Sequence, residues 1–457
     1  MVSGGPGPEA TWFLPLGGCG EIGMNLNLYG HNGRWLIVDC GITFEHDGRG
    51  RAGGASIQMA NPDFIAERCQ QIDGLILTHA HEDHLGAVPY LWPKFRCPVY
   101  TTPFTANVLR RKVGWRGGEV PSPLIEVTPT SRVQIGVFDV EWLPLTHSTP
   151  ETCALSIRTA NSHIIHTADW KIDQRPVVGQ PWKPTDWEGK GLKAPDAIIC
   201  DSTNALKPGR SPSEGDVADG LLKVVAPLTG KVVIGCFASN IARLQTVLRL
   251  GHATGRRVGL LGRSLDNMYR SAVATDLLSD DFKPIDPNHL DYLPKAEILA
   301  LATGSQGEVG SALHRLATDS HPKLCLDEGD TVIFSAKTIP GNDQSVSRLV
   351  EQFKGRGIHV LHADDASATL HASGHPCEDE LQDLYRFLQP KLVIPVHGEP
   401  PHMAANGRIA RHLGVGAVLT GTNGDLFYLS PTPGVRRRWV STGRLRWLED
   451  EVRLESV

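Results

Sequence analysis

The segment LTHAHEDHLGAVP places His79, His81, Asp83 and His84 within six residues, directly after an apolar run at 74–78. Such a run reads as a strand, so the four side chains crowd into the turn that ends it. Histidines two apart on an extended turn lie on one side and can share an ion, while Asp83 and His84 point toward a second position. Imidazole nitrogen and carboxylate oxygen are ligands that zinc accepts. An H-x-H-x-D-H match arises by chance in well under about 1 % of chains this long. Two ions need more ligands than four side chains supply. Three further candidates close apolar runs: His147 after LPLT, Asp169 after IIHTA and His397 after VIPV.

Those runs define the elements that must position the ligands. TWFLPLGG, MNLNLYG and RWLIVDCG, between residues 11 and 44, read as short strands joined by glycine turns, a hairpin-rich sheet. VEWLPLTH, SHIIHTAD and DAIICDS are further strands that end on polar residues, so one edge of a sheet collects functional groups. From about 205 to 363 the texture changes to alternating strands and helices, as in KVVIGCF before SNIARLQTVLRL and EILALATG before SQGEVGSALHRLA. RRVGLLG precedes a polar segment, and DTVIFSA a Pro-Gly turn. KLVIPVHGE then restores the earlier style. The expected class is α/β.

HAHEDH, THSTPET, HTADWKID and PVHGEP resemble the successive motifs of the metallo-β-lactamase superfamily, over nearly the whole chain. The resemblance implies an αββα sandwich. It also implies two zinc ions per chain, one on His79, His81 and His147, the other on Asp83, His84 and His397, with Asp169 bridging. Manganese is a second ion that could support activity. Asp39 in LIVDCG matches the family's buried aspartate, which orients the ligand loop. The α/β block between Asp169 and His397 resembles the β-CASP insertion of nucleic-acid-processing members. Within that branch CDSTNALKPGRSPSE, CFASNIARLQTV, ATGSQGE, IPGND and ASGHPCEDEL are similar to ribonuclease J. The implied division is 1–205 for the first part of the metallo-β-lactamase domain, 206–362 for the β-CASP domain, and 363–457 for the completing part with a basic tail.

These motifs imply a hydrolase of RNA phosphodiester bonds, a 5′-to-3′ exonuclease on 5′-monophosphorylated single strands with endonuclease action as well. His375 is then the candidate general acid for the departing 3′ oxygen, and Asp201 orients a metal-ligand histidine. Asp83 belongs to the catalytic set as a ligand. Ser239 with Asn240, residues 304–307, and Ser373 with Gly374 are small polar residues where strands turn into helices. Helix N-termini offer unpaired N–H groups to phosphate, so Ser239, Asn240, Ser373 and Gly374 are candidate substrate contacts, with plain capping as the alternative at each.

The net charge of −5 gives no whole-molecule attraction for RNA. Binding must then come from local charge, and two divalent ions outweigh two carboxylates and a hydroxide. Arg110, Arg111, Lys112 and Arg116, and residues 436–438, are basic clusters that could track a strand; solvated surface is the alternative. Nine scattered cysteines, an odd number without a C-x-x-C pair, fit a reducing compartment. With no leader-like segment and no membrane-length apolar run, the expectation is a cytoplasmic protein. Ribonuclease J usually carries a further C-terminal domain that contributes to dimers. The chain ends some sixty residues after His397, so this reads as a short form whose homo-oligomeric state stays open. The 44–64 loop also differs from the more acidic, hydrophobic family loop. Two other functions compete: a di-zinc hydrolase of a small ester, thioester or lactam, and a non-catalytic RNA-binding member.

Overall fold

Successive residues of a strand face opposite sides of its sheet. Trp35 and Ile37 enter one core while Leu36 and Val38 enter another. Both faces are covered, which is why these strands read as unbroken apolar runs. A computed structural model describes residues 5–45, 56–116, 118–278, 282–339, 341–363, 367–447 and 454–456.

Two sheets form the centre. The eight-stranded one runs Gly434–Arg436, Leu426–Ser430, Thr11–Gly17, Leu26–His31, Arg34–Val38, Ile72–Ile76, Val99–Thr101, Leu124–Glu126. The seven-stranded one runs Ala417–Val418, Leu392–Val396, Ala197–Asp201, His163–His166, Cys153–Arg158, Phe138–Pro144, Arg132–Ile135. Phe13, Tyr29 and Leu36 of the first pack against Trp142, Ile164, Ile199 and Ile394 of the second. On the outer face of the first sheet, Leu91, Phe95 and Leu109 of helices Val88–Phe95 and Pro103–Arg116 cover Trp35 and Leu75. On the outer face of the second, Leu381, Leu384 and Ile409 of helices Glu378–Leu388 and Pro400–His412 cover Ile165, Ile198 and Val393. The layers are αββα, as expected. A third, five-stranded sheet is wholly parallel: Arg257–Leu261, Ile298–Ala302, Val232–Gly235, Thr331–Phe334, His359–His362.

Ala197–Asp201 pairs in parallel with both His163–His166 and Leu392–Val396, so three strands end on one edge. Asp201 lies opposite Val396, which puts it beside His397.

Several local expectations give way. The polar segment after RRVGLLG is a helix, Arg263–Ala274, whose stripe of Leu265, Met268, Tyr269, Ala272 and Val273 packs into the core. SQGEVGSALHRLA is helical only at Ala312–Ala317, with Ser311 as its cap, so residues 304–307 lie in a loop. Ser373 and Gly374 likewise precede their helix by several residues. RLRW is not a tail but the strand Arg444–Trp447, paired with Ser56–Ala60. In the basic clusters Arg110 pairs with Glu126 and Lys112 with Glu82, both at 2.6 Å, and Arg437 pairs with Asp425 at 2.8 Å. The side chain of Arg116 and residues 46–55 of the 44–64 loop lie outside the described residues. All nine cysteines are free. No described helix is long and apolar enough to cross a membrane.

The third sheet is tied to the sandwich by buried charge. Arg243 is fully buried and forks onto Glu214 at 3.2 Å, and its other arm donates to the carbonyls of Ser335 (2.7 Å) and Leu370 (3.4 Å). Beside it Lys171 pairs with Asp173 at 2.9 Å, and Asp173 accepts the Glu214 N–H at 3.0 Å. Removing one partner of such a pair strands the other charge in a medium that cannot solvate it. Arg243→Met should therefore lose about 3–5 kcal/mol of stability in urea unfolding. The double substitution with Glu214→Gln should lose clearly less, and an Arg243→Met protein as stable as the parent would show that the pair contributes nothing.

Candidate metal centre

The seven predicted ligands converge. Ligand atoms of His79, His81, His147 and Asp169 lie within 4.8 Å of one another, and so do those of Asp83, His84, Asp169 and His397. The two sets share Asp169, which is the division expected.

Each ring's second nitrogen decides what the first can offer. Asp39 Oδ2 lies 2.7 Å from His84 Nδ1; a carboxylate only accepts, so Nδ1 donates and His84 Nε2 turns a lone pair to the site. The Thr78 hydroxyl also donates to Asp39, at 2.9 Å, so it accepts from His79 Nδ1 at 3.0 Å and frees His79 Nε2. His147 Nδ1 donates to the carbonyl of Gly374 at 2.6 Å. Thr203 Oγ1 donates to Asp201 at 2.7 Å and accepts from His397 Nδ1 at 3.1 Å. Four histidines are thus set as lone-pair donors by groups behind them.

Close packing makes this possible at two glycines. A Cβ on Gly41 would lie 1.6 Å from the Asp83 carbonyl oxygen, and one on Gly374 would lie 2.6 Å from His147 Cε1. Asp39, Ala168 and His397 hold left-handed backbone angles of 65°, 51° and 50°. Strain of this kind gathers where surrounding structure dictates the conformation.

The electrostatics fit a cation. Burial first, then neighbouring imidazoles, holds His79 well below the usual histidine range, and burial lowers His81 to about 4. Burial and then His81 lower His147 in the same way. Three neutral rings therefore face each other, with His81 Nδ1 at 3.1 Å from His79 Nε2 and 3.0 Å from His147 Nε2. Burial disfavours charge on Asp83 and Asp169 too, but their histidine neighbours outweigh it and keep both well below the usual carboxylate range. Asp169 Oδ1 is buried; His397 Nδ1 is 3.3 Å away, yet the geometry leaves this oxygen without a hydrogen bond. Convergent lone pairs, buried carboxylates and an unsatisfied oxygen suit divalent ions.

His375 stands beside these sets. Its Nδ1 donates to Asp201 Oδ2 at 2.8 Å and lies 3.9 Å from Asp169 Oδ2. Burial opposes its charging, but Asp201 and Asp169 prevail and raise its pKa. Asp201 thus bonds His375 directly and also faces His397, whose Nδ1 lies 3.6 Å from Asp201 Oδ1 with Thr203 between them. Of the substrate candidates, Asn240 is spent on structure: its Oδ1 caps Arg243 N–H at 2.8 Å and its Nδ2 donates to Glu214 at 3.1 Å. Gly374 serves the centre through the carbonyl that holds His147. Ser373 accepts from Asn204 Nδ2 at 2.7 Å, and Ser239 is half-buried before the helix Ile241–Ala253. Sequence reasoning missed Thr78, Thr203, Asn204 and Ser148, whose Oγ lies 3.3 Å from His81 Nε2. Their one local signal is adjacency to a ligand motif.

Three family models match in order: the metallo-beta-lactamase superfamily at 24–196, the ribonuclease J beta-CASP domain at 229–353, and the Zn-dependent metallo-hydrolase RNA specificity domain at 365–417. Ribonuclease J of Sinorhizobium meliloti is 38% identical over 431 residues, covering 93% of this chain and 75% of that protein. Ribonuclease J of Mycolicibacterium smegmatis is 37% identical over 414 residues, covering 89% and 72%. That of Thermus thermophilus is 34% identical over 408 residues, covering 87% and 70%. A crystal structure of an Enterococcus faecalis protein of unknown function superposes with a TM-score of 0.63 at 17% identity, over 92% of this chain and all of that one, which speaks to fold alone. Because the identity runs through the sandwich, the insertion and the segment carrying His375 and His397, this chain belongs to the ribonuclease J family.

Proposed function

We propose that this chain, a metal-dependent ribonuclease of that family, hydrolyses single-stranded RNA with two zinc ions on the paired ligand sets and His375 as general acid. The observation that carries the reading is the His375–Asp201 bond at 2.8 Å, which holds a proton-bearing imidazole against the shared carboxylate Asp169. A metal-dependent hydrolase of small acyl substrates has no need of such a group beside the metals.

When bound, two divalent ions acidify water and neutralise charge on a phosphoryl group. The chain does the rest. His79, His81 and His147 would hold one ion, Asp83, His84 and His397 the other, with Asp169 between them. His375, protonated through its pairing with Asp201, would give its Nε2 proton to the departing 3′ oxygen. Ser373 has its acceptor side filled by Asn204, which leaves its O–H free to donate to a phosphate oxygen. Ser239 is kept as a second contact, while Asn240 is not. The division at 205 and 362 is retained, since the parallel sheet lies between Val232 and His362. Attack from a 5′-monophosphate end, proceeding 5′ to 3′, completes the proposal.

His81→Ala should lose metal and activity together. His375→Ala should keep its metal, measured by elemental analysis, and cleave RNA about 10²- to 10⁴-fold more slowly. Equal metal loss in both would sink the acid role. The direction of attack is tested with internally labelled RNA bearing 5′-mono- or 5′-triphosphate. Mononucleotide release from the monophosphate alone is expected, whereas internal fragments from both would establish endonuclease action instead.

A further inference from the structure

The turn after strand Ala197–Asp201 holds more of His375 than its ring. Asn204, buried at 3% exposure, donates from Nδ2 to Ser373 Oγ at 2.7 Å and to the His375 carbonyl at 3.2 Å. Its Oδ1 accepts from Lys207 Nζ at 2.5 Å. An ammonium can only donate, so Lys207 fixes which end of the amide faces it and which faces residues 373 and 375. The Ser211 hydroxyl adds a second bond to the His375 carbonyl, at 2.6 Å. Asp201, three residues before Asn204, takes the ring proton at Nδ1.

We infer that Asn204 is a positioning residue for the general acid: with Asp201 on the ring and Asn204 on the backbone, one turn fixes where His375 presents Nε2. The inference rests on the general-acid reading above. A carboxylate cannot replace the bond to the His375 carbonyl, which only accepts, whereas the Ser373 hydroxyl can turn to donate. Asn204→Asp, nearly the same shape, removes both donations and sets negative charge against the His375 carbonyl. Asn204→Ala removes the group. Lys207→Met, at an exposed position, leaves the amide in place and releases its orientation.

The test uses two RNAs that differ at one atom. In a 3′-S-phosphorothiolate linkage the leaving group is a thiolate, which departs without a proton, so a displaced acid costs little. On ordinary RNA Asn204→Asp and Asn204→Ala should lower kcat about 10- to 10²-fold, the scale of an ångström of misplacement. On the thiolate linkage they should stay within about threefold of the parent. Lys207→Met should show a weaker version of the same pattern while melting like the parent, which keeps the test usable where an Asn204 variant does not fold.

His375→Ala is the reference. If it loses both RNAs equally, the general-acid reading fails. If it spares the thiolate RNA while folded Asn204 variants lose both, or neither, the positioning role is overturned. A Lys207→Met protein whose kcat on ordinary RNA equals that of the parent would overturn the claim that Lys207 sets the amide.

Discussion

An imidazole can give its lone pair to a metal only if its proton is taken up on the other nitrogen, and the centre is built on that constraint. Asp39 is its main anchor: fully buried, it accepts from His84, from the Thr78 hydroxyl and from the Thr78 N–H, and through Thr78 it governs His79. One carboxylate thereby orders a ligand in each set. Its left-handed backbone, and the glycine two residues on that lets the chain graze Asp83, follow from having to reach both. The seven-stranded sheet applies the same rule from the opposite side, where Thr203 takes the His397 proton.

Acidic and neutral groups are sorted rather than mixed. On one side burial lowers the pKa of three imidazoles; on the other, Asp83, Asp169 and Asp201 outweigh burial and raise those of His84, His397 and His375. His375 is the member of this group outside the two ligand sets that share Asp169 with His79 and with Asp83.

Much of this was legible in the chain. H-x-H-x-D-H and the polar residues closing apolar runs were readable because strand ends on one sheet edge must meet, and parallel pairing brings Asp201 beside His397. What stayed hidden has physical causes. Thr203 and Asn204 act through geometry that no spacing encodes. Arg243 looks like a surface residue until its partner Glu214 is known. Helix Arg263–Ala274 reads as a polar segment because arginine, serine, aspartate and asparagine surround the stripe of Leu265, Met268, Tyr269, Ala272 and Val273. The basic clusters give no sign in the sequence that some of their charges are already paired, Arg110 with Glu126, Lys112 with Glu82 and Arg437 with Asp425.

The strand Leu426–Ser430 lies against Thr11–Gly17, and the ligand set runs from His79 to His397. Thr11–Gly17 waits for a strand made more than four hundred residues later before this side of its sheet is complete. Across that interval the HAHEDH turn exists without His397, and the set of Asp83, His84 and Asp169 stays incomplete. A pair of sites assembled in this order gains its second member only after the whole inserted parallel sheet has been made.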